Sequence, residues 1–327
     1  MDTKRIRVFD LHCDTLDRLA LGGEFAEPGQ DPRVDAPPAS LRTNSAHISL
    51  DRMRDFDWCQ CFAIFIPDTL DAADSWRFYQ QVQSYFAAQL QANEDRLAQV
   101  TDAADLEAAF AARQCAALLT IEGGSFLGAS REPAEAIGAI ARDGVKMLTL
   151  TWNASNALAS GSAAPGGLTP LGERVVRALE DQRIVVDVSH LNDESFFDVA
   201  RVATRPFAAS HSNARAICDH PRNLSDEQFR LICERGGIVG LNFFSELLTT
   251  TGHEATPDDL LRHLDHWLSL GGEHTIALGS DYDGADIARW LLPCDKLAAF
   301  HARVTQEFGP QVAGDLFFNN ASRFFTW

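Results

Sequence analysis

Eight short apolar runs recur along the chain and alternate with stretches in which apolar residues have helical spacing. The runs are rich in Val, Ile, Leu, Phe and Ala and lie at residues 6–10, 59–66, 115–121, 146–150, 184–188, 206–209, 237–241 and 274–278. The clearest helical stretches lie at residues 70–97, 133–142, 170–182, 192–200, 225–235 and 257–270. Eight alternating strand and helix units predict an α/β fold of the TIM type, a (β/α)8 barrel with its active site at the carboxyl ends of the strands.

Polar residues stand at the carboxyl ends of five of these strands, the first, third, fifth, sixth and eighth. They are His12, Asp14, Glu122, His190, His211 and Asp281. A doubly wound open sheet shows a similar alternation of strands and helices, but it does not bring the ends of all these strands together. Closure into a barrel does, and it therefore explains the pattern better.

The length and composition fit one domain. A chain of 327 residues with 46% hydrophobic content can bury a large core, and a barrel of roughly 250 residues with additions accounts for all of it. We therefore expect a single domain over residues 1–327. Residues 24–46 lack periodicity and are rich in Pro, Gly, Asp, Ala and Ser, so we interpret them as an excursion at the barrel rim that forms a lid or an oligomer contact.

Charge and cysteine usage restrict the partners and the compartment. The formal net charge of −18 repels phosphate backbones and argues against nucleic-acid binding. The sequence leads into the first strand without an apolar signal region, and no apolar run is long enough to span a bilayer. Seven scattered cysteines fit reduced thiols. We expect a cytoplasmic protein that does not bind membranes.

The residue types at the strand ends predict a metal site. Two carboxylates and three imidazoles are ligands that suit Zn²⁺ or a similar ion. Alternation along a strand aims His12 and Asp14 at the same space, and Glu122 can give one oxygen to each of two ions. We therefore predict one ion on His12, Asp14 and Glu122 and another on Glu122, His190 and His211. Two such ions about 3.5–4 Å apart share and activate a water for attack on a carbonyl.

Two further roles have competing candidates. Asp281 follows the last strand and is placed to accept a proton from that water, whereas Asp283 stands before Gly284 and has the position of a turn residue. Arg215 and Arg222 lie in the loop after His211, where a guanidinium could hold a substrate carboxylate or form a salt bridge at the rim.

The motifs taken together resemble the zinc dipeptidases typified by renal (membrane) dipeptidase, which are (β/α)8 barrels of the metal-dependent hydrolase type. The resemblance covers nearly the whole chain and runs through Asp10-Leu11-His12-Cys13-Asp14-Thr15, Ile121-Glu122-Gly123-Gly124, Leu148-Thr149-Leu150-Thr151, Asp187-Val188-Ser189-His190, Ser210-His211-Ser212, His220-Pro221-Arg222-Asn223, Gly279-Ser280-Asp281-Tyr282-Asp283-Gly284 and Asn320-Ala321-Ser322-Arg323-Phe324.

The resemblance implies roles for particular residues. His12, Asp14, Glu122, His190 and His211 would bind two Zn²⁺ ions, with Glu122 bridging them. Asp281 would be the acid/base, and Arg222 would bind the carboxylate of a dipeptide. Trp152 stands where family members such as the renal enzyme carry a histidine that contacts the substrate, and Asn153 follows it, so we expect both to line the substrate site.

The activity implied is hydrolysis of dipeptides, including L-Xaa-D-Xaa dipeptides, by a hydroxide that bridges the two ions. A homodimer is compatible with the resemblance. One alternative is a zinc hydrolase of another amide or a lactone, such as an N-acyl amino acid, which would not require a free amino group. The other is a barrel that binds metal without catalysis, which the replacement at Trp152 favours and the complete ligand set disfavours.

Overall fold

The computed structural model describes residues 5–21, 39–128 and 133–325. Its strands are β1 (Arg7–Cys13), β2 (Asp57–Phe65), β3 (Leu97–Gln99), β4 (Cys115–Glu122), β5 (Val145–Thr149), β6 (Val185–Asp187), β7 (Ala208–Ser212), β8 (Ile238–Leu241) and β9 (Ile276–Leu278). Its α-helices are α1 (Thr15–Ala20), α2 (Leu50–Met53), α3 (Ala72–Ala92), α4 (Ala103–Ala111), α5 (Pro133–Arg142), α6 (Pro170–Asp181), α7 (Asp193–Val202), α8 (Asp226–Glu234), α9 (Ser245–Leu248), α10 (Pro257–Ser269), α11 (Leu297–Gly314) and α12 (Asn320–Phe324).

Eight of the strands close into a parallel barrel. The order around it is β1, β2, β4, β5, β6, β7, β8 and β9, and β9 pairs again with β1. The predicted (β/α)8 fold is therefore confirmed, and each of the eight predicted strands overlaps an observed one. β3 lies outside the ring, where it pairs with the first residues of β4 through Leu97–Gln99.

The helix predicted over residues 70–97 is too long. It ends at Ala92, because the backbone of Asn93 leaves the helical range (φ −128°, ψ 30°) while its side-chain amide donates to the carbonyl of Gln89. Leu97 already belongs to β3. The first strand is longer than predicted and runs to Cys13, so His12 lies inside it. The helices α4 and α11, which sequence reasoning did not single out, complete the outer layer together with the predicted ones.

The barrel interior is filled by alternate residues of its strands. Phe9, Leu11, Cys59, Leu118 and Met147 belong to one buried apolar cluster, and their counterparts on β7, β8 and β9 are small or branched residues. Aromatic rings from α4 and from the carboxyl-terminal helices join this cluster. A second, larger cluster packs the helices against the outside of the strands. The packed interior leaves the carboxyl ends of the strands as the place for a site.

Of the predicted rim excursion at residues 24–46, residues 24–38 lie outside the described residues, and residues 39–46 are described. The amide of Ala39 donates to the carbonyl of Leu19, and the hydroxyl of Tyr85 donates to the carbonyl of Ala39. Residues 39–46 are thus held against α1 and α3. None of the helices in the described ranges is both long and apolar enough to cross a membrane.

Candidate metal centre and substrate cavity

Local irregularities in two strands turn histidines toward the interior. The register of β1 against β2 shifts between Asp10 and Cys13, and the register of β7 against β8 shifts between Ala209 and Ser212. Each shift inserts one extra residue on the strand that carries a histidine, as a β-bulge does. Phe9 and Leu11 can therefore face the interior together with His12, which regular alternation would not allow.

Glu122 lies between two groups of imidazoles and faces each group with a different oxygen. Its Oε1 is 2.7 Å from Nε2 of His190 and 3.6 Å from Nε2 of His211, and its Oε2 is 3.4 Å from Nε2 of His12. Burial alone would raise the pKa of Glu122, but the facing positive charge of His12, whose own pKa is raised well above the usual value by Asp14 and Glu122, holds the pKa of Glu122 well below its usual value. The side chain is a buried carboxylate with two oxygens directed at separate sets of nitrogen atoms.

The imidazole of His211 is oriented by a hydroxyl and a carboxylate behind it. Ser210 donates its single hydroxyl hydrogen to Oδ2 of Asp187 over 2.5 Å, so its oxygen accepts from Nδ1 of His211 over 2.7 Å. Asp187 also accepts from the hydroxyl of Thr149 and from the backbone amides of Ser189 and Ser210. His211 therefore carries its hydrogen on Nδ1 and has a free lone pair on Nε2.

Asn153 orients His190 in the same way. Its Oδ1 lies 2.9 Å from Nδ1 of His190 and also accepts from the hydroxyl of Ser162. Burial, together with the nearby charge of Arg222, lowers the pKa of His190 to about 4, so the ring is neutral at pH 7 and Nδ1 carries its hydrogen. Asn153 was predicted to bind substrate. It does line the cavity, and its observed partner there is this imidazole.

These tautomers leave an arrangement that fits a metal ion. The two Nε2 atoms of His190 and His211 are 2.8 Å apart, and Oε1 of Glu122 faces both. Neither nitrogen carries a hydrogen, so lone pairs converge in a buried space, where a divalent cation would satisfy them. Beside them, Oδ1 of Asp14 is buried and has no hydrogen-bond partner among the described residues. The donor types and this orphaned oxygen fit the predicted metal.

Asp14 and Asp281 form the other half of the cluster around His12. Nε2 of His12 is 3.3 Å from Oδ2 of Asp14 and 3.8 Å from Oδ1 of Asp281. The ligand atoms of these three residues converge closely enough to hold one ion, and so do those of His12, Glu122 and His211. The five predicted ligands and the predicted acid/base are thus in one place.

Asn242 holds the Asp281 carboxylate by donating from its side-chain amide to Oδ2 over 3.0 Å. Asp281 has a backbone φ of 63°, a conformation that costs energy in a residue other than glycine. Burial raises the pKa of its carboxyl group. Asn242 was not predicted, although it directly follows β8, the seventh strand of the barrel, and so lies at a strand end like the predicted residues.

Asp283, the competing candidate, has a structural role. One of its oxygens accepts from the backbone amide of His47 over 2.6 Å, and the other accepts from the hydroxyl of Thr15 over 2.6 Å. Its own amide donates to Nδ1 of His47. Asp283 thereby ties residues 47–48 and α1 to the loop that carries Asp281.

Arg215 and Arg222 differ in the groups that they contact. Arg215 forms a bidentate pair with Asp193 at 2.7 and 2.8 Å, which is the salt bridge considered as an alternative. Arg222 lines the cavity, and its guanidinium reaches the carbonyl of His211 over 3.4 Å. Burial lowers the pKa of Arg222 to about 10, so it remains charged at neutral pH. Among the described residues Arg222 has no carboxylate within 4 Å.

The cavity above these residues has a volume of about 820 Å³, within the range for small-molecule sites. Trp152, which was predicted to contact the substrate, lines it and packs edge-on against Phe65 with ring centroids 5.1 Å apart. Phe65 is the last residue of β2 and was not predicted. Its position at a strand end was the signal that would have identified it.

Comparison with known proteins relates this site to a peptidase family. The family model for membrane dipeptidase (peptidase family M19) matches residues 3–296. An uncharacterised Klebsiella pneumoniae protein from the pqqA 5′ region is 37% identical over 201 residues, which cover 58% of this chain and 73% of that protein.

Two solved structures are similar over almost their whole length. A metallopeptidase from Rhodobacter sphaeroides, liganded with a phosphinate mimic of the dipeptide L-Ala-D-Ala, is 26% identical with a TM-score of 0.86, covering 99% of this chain and all of that one. The dipeptidase AC, a metallopeptidase of family M19, is 27% identical with a TM-score of 0.86, covering 98% of each chain.

Proposed function

Because the chain belongs to the membrane dipeptidase family (peptidase family M19) and is thus a metal-dependent peptide hydrolase, we propose that it hydrolyses dipeptides at a binuclear zinc site. The proposed substrates include dipeptides with a D-residue at the carboxyl-terminal side. The observation that carries the binuclear proposal is Glu122, whose two oxygens face separate groups of imidazoles. The similar Rhodobacter sphaeroides structure with its bound L-Ala-D-Ala mimic supports the substrate class.

The residues proposed to hold the metal are those predicted from the sequence. His12, Asp14 and Glu122 would bind one ion, and Glu122, His190 and His211 the other. When bound, the ions would polarise the substrate carbonyl and lower the pKa of a water molecule.

Asp281 is proposed to move the proton. Its carboxylate is fixed by Asn242 on one oxygen, and the other oxygen points toward His12 and the ligand cluster. Burial raises the pKa of Asp281 toward the range in which a group can both accept and release a proton. It would take the proton of the attacking water and deliver it to the nitrogen of the leaving amino acid.

Arg222 is proposed to fix the carboxylate of the substrate. It is a charged guanidinium in the cavity wall, and the other arginine of its loop is already paired with Asp193. A guanidinium binds a carboxylate through two parallel hydrogen bonds. A carboxylate held there, with the scissile amide at the ligand cluster, would limit the substrate to two residues.

The test is amino-acid release by zinc-loaded protein from L-L and L-D dipeptides and from their N-acetylated and C-amidated forms. We expect turnover of the dipeptides with both ends free and its loss in Asp281→Asn, which also controls for a contaminating peptidase. Turnover that does not require a free amino group would instead identify a hydrolase of N-acyl amino acids. Binding of two zinc ions without turnover of any amide would refute the proposed hydrolytic activity.

A matched pair of variants tests the carboxylate contact. Arg222→Lys keeps the charge but loses the bidentate geometry, and we expect kcat/KM for free dipeptides to fall about 10- to 100-fold. Arg215→Lys makes the same change in the same loop, where the side chain faces Asp193, and should leave kcat/KM within about threefold. Equal losses in both variants would contradict the assignment of Arg222.

A further inference from the structure

The substrate cavity has an aromatic wall opposite the guanidinium of Arg222. In the order of the eight barrel strands, β2 and β7 stand diametrically opposite each other. Phe65 ends β2, whereas Arg222 lies in the loop after β7. A dipeptide whose carboxylate is bound at Arg222 and whose amide lies at the ligand cluster therefore extends its amino-terminal residue toward the β2 side.

The aromatic wall consists of Phe65 and Trp152. The two rings meet edge to face, with an interplanar angle of 72°. Phe65 is only 6% exposed, while Trp152 is partly exposed, and both line the cavity. Edge-to-face packing leaves ring surface that can take a further aromatic or large apolar side chain.

The wall is held rigidly from behind. The backbone amide of Phe65 donates to the buried carboxylate of Asp17 over 2.9 Å, and the amide of Ala154 donates to Asp68 over 2.8 Å. Gly161 packs so closely that an added Cβ would lie 2.1 Å from the carbonyl oxygen of Trp152. A surface fixed in this way before binding loses little entropy when a side chain packs on it.

The geometry points to Phe65 and Trp152 as a selective subsite that makes the protein prefer dipeptides with an aromatic amino-terminal side chain. This inference rests on the proposed dipeptidase activity. The wall itself contains no charged side chain, and of the acidic side chains that line the cavity Glu122 is the one on a strand, β4, where it pairs with Phe65. An apolar side chain seated there is removed from water, and a small one such as that of alanine leaves the wall uncovered.

The first test varies one substrate residue at a time. With the carboxyl-terminal residue fixed as D-Ala, or as L-Ala if only L-L dipeptides are hydrolysed, we expect kcat/KM for an amino-terminal Phe to exceed that for Ala by about tenfold or more. Placing Phe at the carboxyl-terminal position instead should give a smaller gain. An Ala-first substrate that equals or exceeds the Phe-first one would overturn the inference.

Three variants locate the preference in the wall. Trp152→Ala should reduce the Phe-to-Ala ratio to below about threefold, and Trp152→Phe, which keeps a ring, should retain most of it. Phe244→Ala removes a ring that lines the cavity after β8, and it should leave this ratio unchanged. If Trp152→Ala does not fold, Trp152→His serves as the variant without an extended apolar face. An unchanged ratio in the variant that folds would refute the role of Trp152.

Equilibrium binding separates this inference from the proposed function. Calorimetry on zinc-loaded protein would compare phosphinate mimics of L-Phe-D-Ala and L-Ala-D-Ala, because such mimics bind without turnover. Tighter binding of the Phe mimic supports the subsite. Equal binding of both leaves the dipeptidase intact and refutes the subsite. Binding of neither, together with no hydrolysis of free dipeptides, refutes the proposed function and with it the subsite.

Discussion

Removal of the Ser210 hydroxyl should weaken metal binding without removing a ligand. The oxygen of Ser210 is the acceptor for Nδ1 of His211, and its hydrogen goes to the Asp187 carboxylate. In Ser210→Ala the imidazole loses the group that keeps the hydrogen on Nδ1 and the ring in place. Loss of such an outer partner typically costs 10- to 100-fold in metal affinity, or about 1.4–2.7 kcal/mol.

Ser212→Ala is the matched control. It is the same substitution on the same strand, on the other side of His211, and its buried hydroxyl has no hydrogen-bond partner among the described residues. The assay is competition for Zn²⁺ with a chelator of known affinity, with the two binding events resolved by titration. We expect Ser210→Ala to weaken one event and Ser212→Ala to change neither by more than about threefold. Binding by Ser210→Ala within twofold of the unchanged protein would refute the proposed orientation of His211.

Two further perturbations test the site and the fold. Gly284→Ala places a Cβ 1.8 Å from Oδ2 of Asp14, so it should displace that carboxylate and lower the zinc stoichiometry toward one. In the control Gly138→Ala in α5, the added Cβ makes only an ordinary 3.6 Å contact with the end of the Arg142 side chain, so both ions should be kept. Burial lowers the pKa of His263 from 6.5 to about 4. As the pH drops from 6.5 toward 4, His263 is therefore protonated in the unfolded chain before it is protonated in the folded one, and the free energy of unfolding falls. The loss is about 2 kcal/mol at pH 5; urea denaturation should show it, and His263→Gln should lack that part of the pH dependence.

The sequence predicted the barrel well because its main signal is local. Apolar runs bounded by turns define buried strands, and polar residues at their ends define the catalytic face. Errors arose where the signal was short or where a local hydrogen bond overrode it. β3 has only three residues, and Asn93 ends α3 by bonding back to Gln89. Neither feature changes the hydrophobic pattern enough to be read from it.

The predicted ligands come together in the structure, but two features behind them could not be read from spacing. Regular alternation would put His12 on the opposite face from Phe9 and Leu11, and only the register shift on β1 reconciles them. The same holds for His211 on β7. A bulge depends on the pairing with the neighbouring strand, and the local sequence of one strand does not reveal that pairing.

Two of the groups that orient the imidazoles, Asp187 and Asn153, are far from them in the chain, so their contacts could not be read from the spacing of residues. Asp187 reaches His211 only through Ser210, and Asn153 reaches His190 from the loop after β5. The sequence placed Asn153 at the substrate site because it follows Trp152. The contact of Asn153 with His190 depends on how the loops after β5 and β6 pack against each other, which the sequence does not show.

Trp152 and Asn153 divide between them two tasks that meet at His190. The Asn153 side chain fixes the hydrogen of His190 on Nδ1, while the Trp152 ring has its centroid 6.2 Å from that of the same imidazole and lines the cavity together with Phe65. These two adjacent residues therefore contact both a proposed metal ligand, His190, and the cavity proposed to bind the substrate. Because both residues share one backbone, held by Asp68 and by the close approach of Gly161, a change in that backbone would alter the proposed metal binding and the proposed substrate selection together. Substitution of a side chain alone separates the two.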